Sequence, residues 1–315
     1  MPEWLVERGI GEDRAILVEN DMVLAAKIRW PGDLFAGERI EARLTAKAGA
    51  RGTATLSDGR EVLVDRLPRN AGEGATIPLL VTRAAIAERG RLKMPAARPP
   101  SEAAPVEDVF AGGRHVRRFP SGSWEDIWHA AAQGEIESAG GSLQFSVTPA
   151  MTLIDIDGDL PPHQLAVGAI PQIARWVRRF DLGGSIGIDF PTLPDRKDRK
   201  AVDELLDEAL AGWPHERTAM NGFGFVQLVA RLEGPSLLHR LTNSRLGAAA
   251  RMALRRAEMV EGAGVTQLTI HPVLKPRLAS EWLAELERRT GRPLRVATDP
   301  GLAIEAAAAQ IVPHE

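Results

Sequence analysis

The sequence predicts an α/β protein with a small β-barrel set into its first third. Three stretches point there. Residues 151–190 read strand, helix, strand. Residues 38–94 read as a run of short strands broken by turn residues. Near the C-terminus, VTQLTIHPVLKP, a helical segment and PLRVATDP form a second small αβ unit.

Composition sets the outer limits. At 315 residues the chain can hold two or three packed units, and 44% hydrophobic with 26% charged residues is ordinary for a globular protein. The absence of cysteine excludes disulfides, thiolate zinc sites and a cysteine nucleophile, and it fits a reducing, cytoplasmic setting. No apolar run approaches the roughly 18 residues that span a bilayer, so no membrane partner is expected. The opening MPEWLVERGIGEDR is too charged for a signal peptide. With a net charge of −3, a nucleic-acid partner would have to be held by local basic patches.

In chain order, RAILVEN and MVLAAKIRW read as two strands around the turn Asn20-Asp21. ERIEARLTAK, GTATLS, EVLVDRL, ATIPLLVTR and GRLKM follow, with a short helix expected at 84–88. Five such strands suggest a barrel of the OB type, but with few aromatic residues present to stack bases the spacing alone favours a plain sheet module. The Pro- and Ala-rich stretch 95–109 reads as a linker. GGRHVRRF then gathers Arg114, His115, Arg117 and Arg118, as a solvated basic loop or a phosphate grip. Residues 124–132 read as a helix, and SLQFSVTPAM as a strand turning near Pro149 into the next.

The central stretch carries the chemistry. Residues 151–156 and 185–190 are short apolar strands, each running into aspartate. Between them Leu165, Ile173, Trp176, Val177 and Phe180 recur at helical spacing, with Arg175, Arg178 and Arg179 on the polar side. Asp181-Leu182-Gly183-Gly184 supplies the stop. A βαβ unit makes the strands parallel, and ligand sites in open α/β sheets lie beyond the strands' carboxyl ends. Asp155, Asp157 and Asp189 stand at those ends, with Asp155 and Asp157 on one face. Paired carboxylates there suit a divalent metal, and with Mg²⁺ phosphate-ester chemistry comes first. The competing reading makes them caps or Asx turns, the role expected of Asp159.

Beyond Asp189, DRKDRKAVDELLDEALAG is helical, buries Val202, Leu205, Leu206 and Leu210, and opens on a solvated charged turn. GFGFVQLVARL is strand-like, 242–260 an Arg-rich helix with Arg245, Arg251, Arg255 and Arg256, and 277–290 the helix of the second αβ unit.

These motifs resemble the catalytic core of the bacterial RNase E/G endoribonucleases. GGSLQFSVTPAMTLIDIDGD is similar to that family's hairpin into its first metal aspartate, and IARWVRRFDLGGSIGIDF to its helix, turn and second metal-aspartate strand. NGFGFVQLVARLEGPSL follows in family order, and LTIHPVLKPRLASEWL is similar to its small C-terminal domain. The likeness is dense over 137–240. It implies an RNase H-like/DNase I-like catalytic core at 110–240, fed by N-terminal strands at 1–35. An inserted, abbreviated S1/OB-like barrel at 36–94 and a small αβ domain at 241–315 complete the expected organisation.

The resemblance implies an Mg²⁺-dependent endoribonuclease that cuts single-stranded RNA to 5′-phosphate and 3′-hydroxyl ends. Asp155 and Asp189 would hold the metal. Asp157 stands where the family usually has an asparagine that positions water or phosphate. Arg114, Arg117, Arg175, Arg178 and Arg231 are candidates for the RNA backbone, though solvated surface is the ordinary place for each. Phe223 and Phe225 are candidates for base stacking, though the core is their ordinary place. The chain departs from the family in having no cysteine zinc link and too little sequence at 95–137 for the 5′-sensing insertion, so a homodimer would lack that staple. The alternatives are an RNA-binding protein with weakened catalysis, prompted by Asp157, and a metal phosphodiesterase acting on something other than RNA.

Overall fold

The computed structural model describes residues 1–88, 90–100 and 108–313. Its first sheet orders β11 (Arg114–Val116), β1 (Glu3–Arg8), β2 (Asp13–Glu19) and β3 (Met22–Arg29). The hairpin between β2 and β3 turns where Asn20-Asp21 predicts: both residues have positive φ, 49° and 62°, as a two-residue primed turn requires. The strand β1 went unread because Glu3, Glu7 and Arg8 mask its apolar centre, in which Leu5 and Val6 are buried.

A closed five-stranded barrel follows, in the order β10 (Ala96–Arg98), β6 (Glu61–Val64), β5 (Arg51–Thr55), β4 (Arg39–Ala48), β7 (Thr76–Arg83). Alternating residues Ala42, Leu44, Ala54, Val62, Val64 and Leu79 fill it. Three expectations are corrected here. The closing strand is β10, which pairs with both β6 and β7, and not GRLKM. That segment forms β9 (Arg91–Lys93), paired in a separate ribbon with β8 (Ile86–Glu88) where a helix was expected. The stretch 95–109 is not all linker. Its Pro-rich composition hides β10, whose small Ala96 and Ala97 are buried at the closure. It also contains Asp108, which caps the four-residue helix α1 (Val109–Gly112). The expected linker's residues 101–107 lie outside the described residues.

The largest sheet orders β12 (Glu135–Ser138), β13 (Gly141–Val147), β14 (Thr152–Gly158), β15 (Gly184–Asp189), β17 (Phe225–Ala230) and β16 (His215–Arg217). β14 and β15 are parallel, joined through α3 (Pro162–Arg179), which confirms the strand-helix-strand reading. The expected stripe of α3 is buried, and Phe180 meets Phe145 edge-on at 5.2 Å between ring centres. Asp181, with φ 52°, ends the helix, and its carboxylate accepts from Lys27 Nζ at 2.7 Å, tying α3 to the first sheet. Helix α4 (Arg196–Ala209) packs beside α3 on Val202, Leu206 and Leu210. Leu205, expected in that stripe, is 40% exposed, because the three buried residues recur every four positions and leave it on the flank. Helix α2 (Ser123–Gln133) buries Trp124, Ile127 and Trp128 in the same core.

The helices α5 (Leu237–Asn243) and α6 (Arg245–Met259) lead into a three-stranded sheet, β19 (Leu294–Thr298), β18 (Val265–Ile270), β20 (Ala308–Val312). β18 and β19 are parallel across α7 (Ser280–Thr290). That helix starts three residues later than expected, because Pro272–Arg277 winds as a 3₁₀ turn with prolines at both 272 and 276. Two arginines of α6 face inward: Arg251 stacks on Trp30 and Trp282 at 4.0 and 4.8 Å, and Arg255 is 3% exposed, whereas Arg245 is exposed. Among the described residues no helix is long and apolar enough to cross a membrane.

Candidate active site

Strand alternation decides where the aspartates point. In β14, β15 and β17 the residues Ile154, Ile156, Ile186, Ile188, Val226 and Leu228 are buried in the helix-covered core. The opposite set forms an open face. On it Asp155, Asp157, Asp189 and Val229 are exposed, and Leu153, Ser185, Phe225 and Gln227 are half-buried.

The register places Asp155 directly opposite Asp189. Adjacent strands lie about 4.8 Å apart, so the two carboxylates are neighbours. One row across the sheet reads Gln144, Asp155, Asp189, Phe225. Asp157, on the same face one step further along, stands opposite Ser142. None of the three aspartates forms an ion pair among the described residues, and the one side-chain hydrogen bond shown is a local one, from Ile156 N–H to Asp155 Oδ1 at 3.1 Å. Lost hydration, and then repulsion from Asp155, push the Asp189 carboxyl above its usual range. Among the described residues no three His, Asp or Glu side chains form a ready metal cluster. The arrangement is therefore a carboxylate pair with free ligand capacity on an open surface.

That repulsion has a measurable consequence. A carboxyl whose folded-state pKa is raised stabilises the fold when protonated, and the benefit is lost as pH rises through the raised value. Asp189→Asn, without divalent ions, should therefore melt at or above the wild-type temperature at pH 7, with the difference vanishing towards pH 4. Thermal melts across that range check it; a variant that melts lower throughout would contradict the repulsion.

Other groups gather at this end of the sheet. Phe223 is 82% exposed, which corrects its expected place in the core. Its loop is held by Asn221 Oδ1, which accepts from the N–H of Phe223 at 2.9 Å and of Phe225 at 3.0 Å. Gly224 has φ 93°, and a Cβ there would stand 2.4 Å from the Phe190 carbonyl oxygen. Arg196 and Lys197 open α4 just beyond β15, both exposed and without an ion pair among the described residues. Sequence reasoning left them in a solvated turn; their position after a strand-end aspartate was the available signal.

The remaining predicted residues lie elsewhere. α3 runs back from the end of β14 to the start of β15, so Arg175 and Arg178 sit at the opposite end of the sheet from Asp189. Arg178 donates to the carbonyls of Ala174 at 2.6 Å and Ala211 at 2.9 Å. Arg231 follows Ala230, which faces Gly184 at the start of β15, and it pairs with Glu233 at 3.4 Å. Arg114 belongs to the first sheet, where it grips Glu3 at 2.8 and 3.1 Å, with Arg117 exposed just past that strand. The fold thus brings together Asp155, Asp157, Asp189 and Phe223, and does not gather the five arginines around them.

No family model matches the chain. Among curated proteins it is similar to ribonuclease G of Escherichia coli strain K12, at 29% identity over 152 residues, which is 44% of this chain and 28% of that protein. Ribonuclease G of Shigella flexneri matches with the same identity and coverage. The match thus spans well under two thirds of the length of these relatives.

Proposed function

We propose that this chain is an Mg²⁺-dependent endoribonuclease that hydrolyses single-stranded RNA to 5′-phosphate and 3′-hydroxyl ends, in RNA processing or decay. The observation that carries the reading is the unpaired, in-register couple Asp155 and Asp189 on the open sheet face. The similarity to ribonuclease G supports the choice of RNA, and with it an RNase H-like/DNase I-like core for the central sheet.

The residues fit the ion. Mg²⁺ is characteristically held by one or two carboxylates, with waters and substrate phosphate completing the shell, so a larger protein cluster is not required. Asp155 and Asp189 would hold it. When bound, the ion polarises a phosphoryl oxygen and lowers the pKa of an attacking water. Asp157, on the same face, would accept a hydrogen bond from that water and orient it. Arg196 and Lys197 offer unpaired positive charge to flanking phosphates. Unpaired strands are the suitable substrate for an open face, since their bases are free to splay and stack.

The test is an AU-rich single-stranded RNA incubated with the purified chain in Mg²⁺ or in EDTA, with product ends mapped. Cleavage only in Mg²⁺, with ligatable 5′-phosphates, is expected. Asp157 favours one second reading, an RNA-binding protein with lost catalysis, because a third carboxylate repels the phosphate unless a cation offsets it. That reading predicts binding that weakens linearly in log salt, with no product in either condition.

A further inference from the structure

The open face holds an apolar spot that lies against the acid pair. Phe225 faces Asp189 across the strands, but its ring leans back along the sheet and lies over Gly187. A Cβ at Gly187 would stand 2.5 and 2.9 Å from the ring's Cζ and Cε2, and 3.0 Å from Leu153 Cδ2. Only glycine leaves the floor low enough for the ring to lie down against Leu153. Gly187 sits two residues before Asp189, a strand rise of roughly 6.6 Å, comparable to the reach from phosphate to base within one nucleotide. Gln227 stands opposite Gly187, on the strand that carries the ring. The Gln227 side-chain amide makes no hydrogen bond among the described residues, so a free donor and acceptor lie beside the ring.

We propose that Phe225, laid over Gly187 against Leu153, is a stacking platform for an unpaired base of the strand whose phosphodiester lies at Asp155 and Asp189, with Gln227 reading that base's edge. The proposal rests on the ribonuclease reading and deepens it. An RNA strand is the occupant the surroundings fit: a flat ring, a free amide beside it, an acid pair suited to a metal-bridged phosphate, and the unpaired Arg196 and Lys197 at the same end of the sheet. Stacking on one aromatic side chain is worth roughly 1–3 kcal/mol per base, or about 5- to 150-fold in affinity.

The experiment measures binding of single-stranded RNA with Ca²⁺ in place of Mg²⁺, so that a cation offsets the acid pair, on RNA whose scissile phosphates are replaced by non-hydrolysable linkages. Wild type, Phe225→Ala, Phe225→Leu and Gly187→Val are compared on an intact RNA and on a set of RNAs with one abasic position moved along the strand. Phe225→Ala and Gly187→Val should each bind intact RNA about tenfold more weakly, and Phe225→Leu, which keeps the apolar packing, should lose most of the same affinity. One abasic position should weaken wild type by a similar factor and leave Phe225→Ala unaffected. A merely structural role for Phe225 would not produce that coupling. If wild type binds RNA but Phe225→Ala binds equally well, the platform is overturned while the ribonuclease reading stands. If wild type neither binds nor cuts RNA, both fall. A concentration-dependent dimer abolished by Phe225→Ala, with RNA affinity unchanged, would assign the spot to a second copy and overturn the proposal.

Discussion

Asp189→Asn is expected to remove RNA cleavage while leaving the fold and RNA binding in place. The amide keeps the shape of the carboxylate and loses its charge, so the pair retains one anionic ligand of its two. Losing a hydrogen-bond partner of a metal ligand typically costs 10- to 100-fold, and losing a ligand's charge should exceed that. The fold should not suffer, because the side chain is exposed and the substitution relieves repulsion with Asp155. Single-turnover cleavage beside a circular dichroism spectrum separates the two effects. A folded variant that cuts at the wild-type rate would remove the pair from the chemistry.

Arg14→Met is expected to produce the largest loss of stability. Arg14 is fully buried; its Nε donates to Glu12 at 2.7 Å and one terminal nitrogen to Glu7 at 2.8 Å. Glu7 and Glu12, 2% and 1% exposed, have few other partners. Arg255 of α6 reaches Glu7 at 2.7 Å and also pairs with Glu125 of α2, and Trp30 Nε1 donates to Glu12 at 2.8 Å. Removing Arg14 takes from buried Glu12 its ion-pair partner among the described residues, leaving the Trp30 N–H and the more distant charge of Arg251. Breaking a buried pair from one side typically costs about 3–5 kcal/mol, a large share of the roughly 5–15 kcal/mol that holds a domain together. Urea unfolding measures it; a change below about 1 kcal/mol would show that the buried pairs around Arg14 contribute little to stability.

The contrast between these two sites shows what a sequence displays. Asp155 and Asp189 were legible because strand-end position and period-two alternation are local, and the βαβ connection fixes the pairing of their strands. The Asn20-Asp21 hairpin was legible for the same reason. Glu7, Glu12 and Arg14 read as ordinary surface charge, since their burial depends on α6, some 240 residues away. Arg175, Arg178 and Arg231 were misleading in a related way: each is close in sequence to an aspartate strand, but an antiparallel return carries it to the far end of the sheet. β10 was hidden by proline-rich composition, because its strand character comes from closing a barrel and not from its own three residues. The platform at Phe225 was half legible: the aromatic residue was noted, but only the register shows that Gly187 is the floor beneath its ring.

The central claim is that Asp155 and Asp189 together hold a divalent cation. Mn²⁺ binding followed by electron paramagnetic resonance, with no RNA present, tests it most directly, using wild type, Asp155→Asn and Asp189→Asn. One bound ion in wild type, displaced by Mg²⁺ and lost in each variant, is the expected result. Mn²⁺ binding unchanged in both variants, or absent from all three proteins, would contradict it.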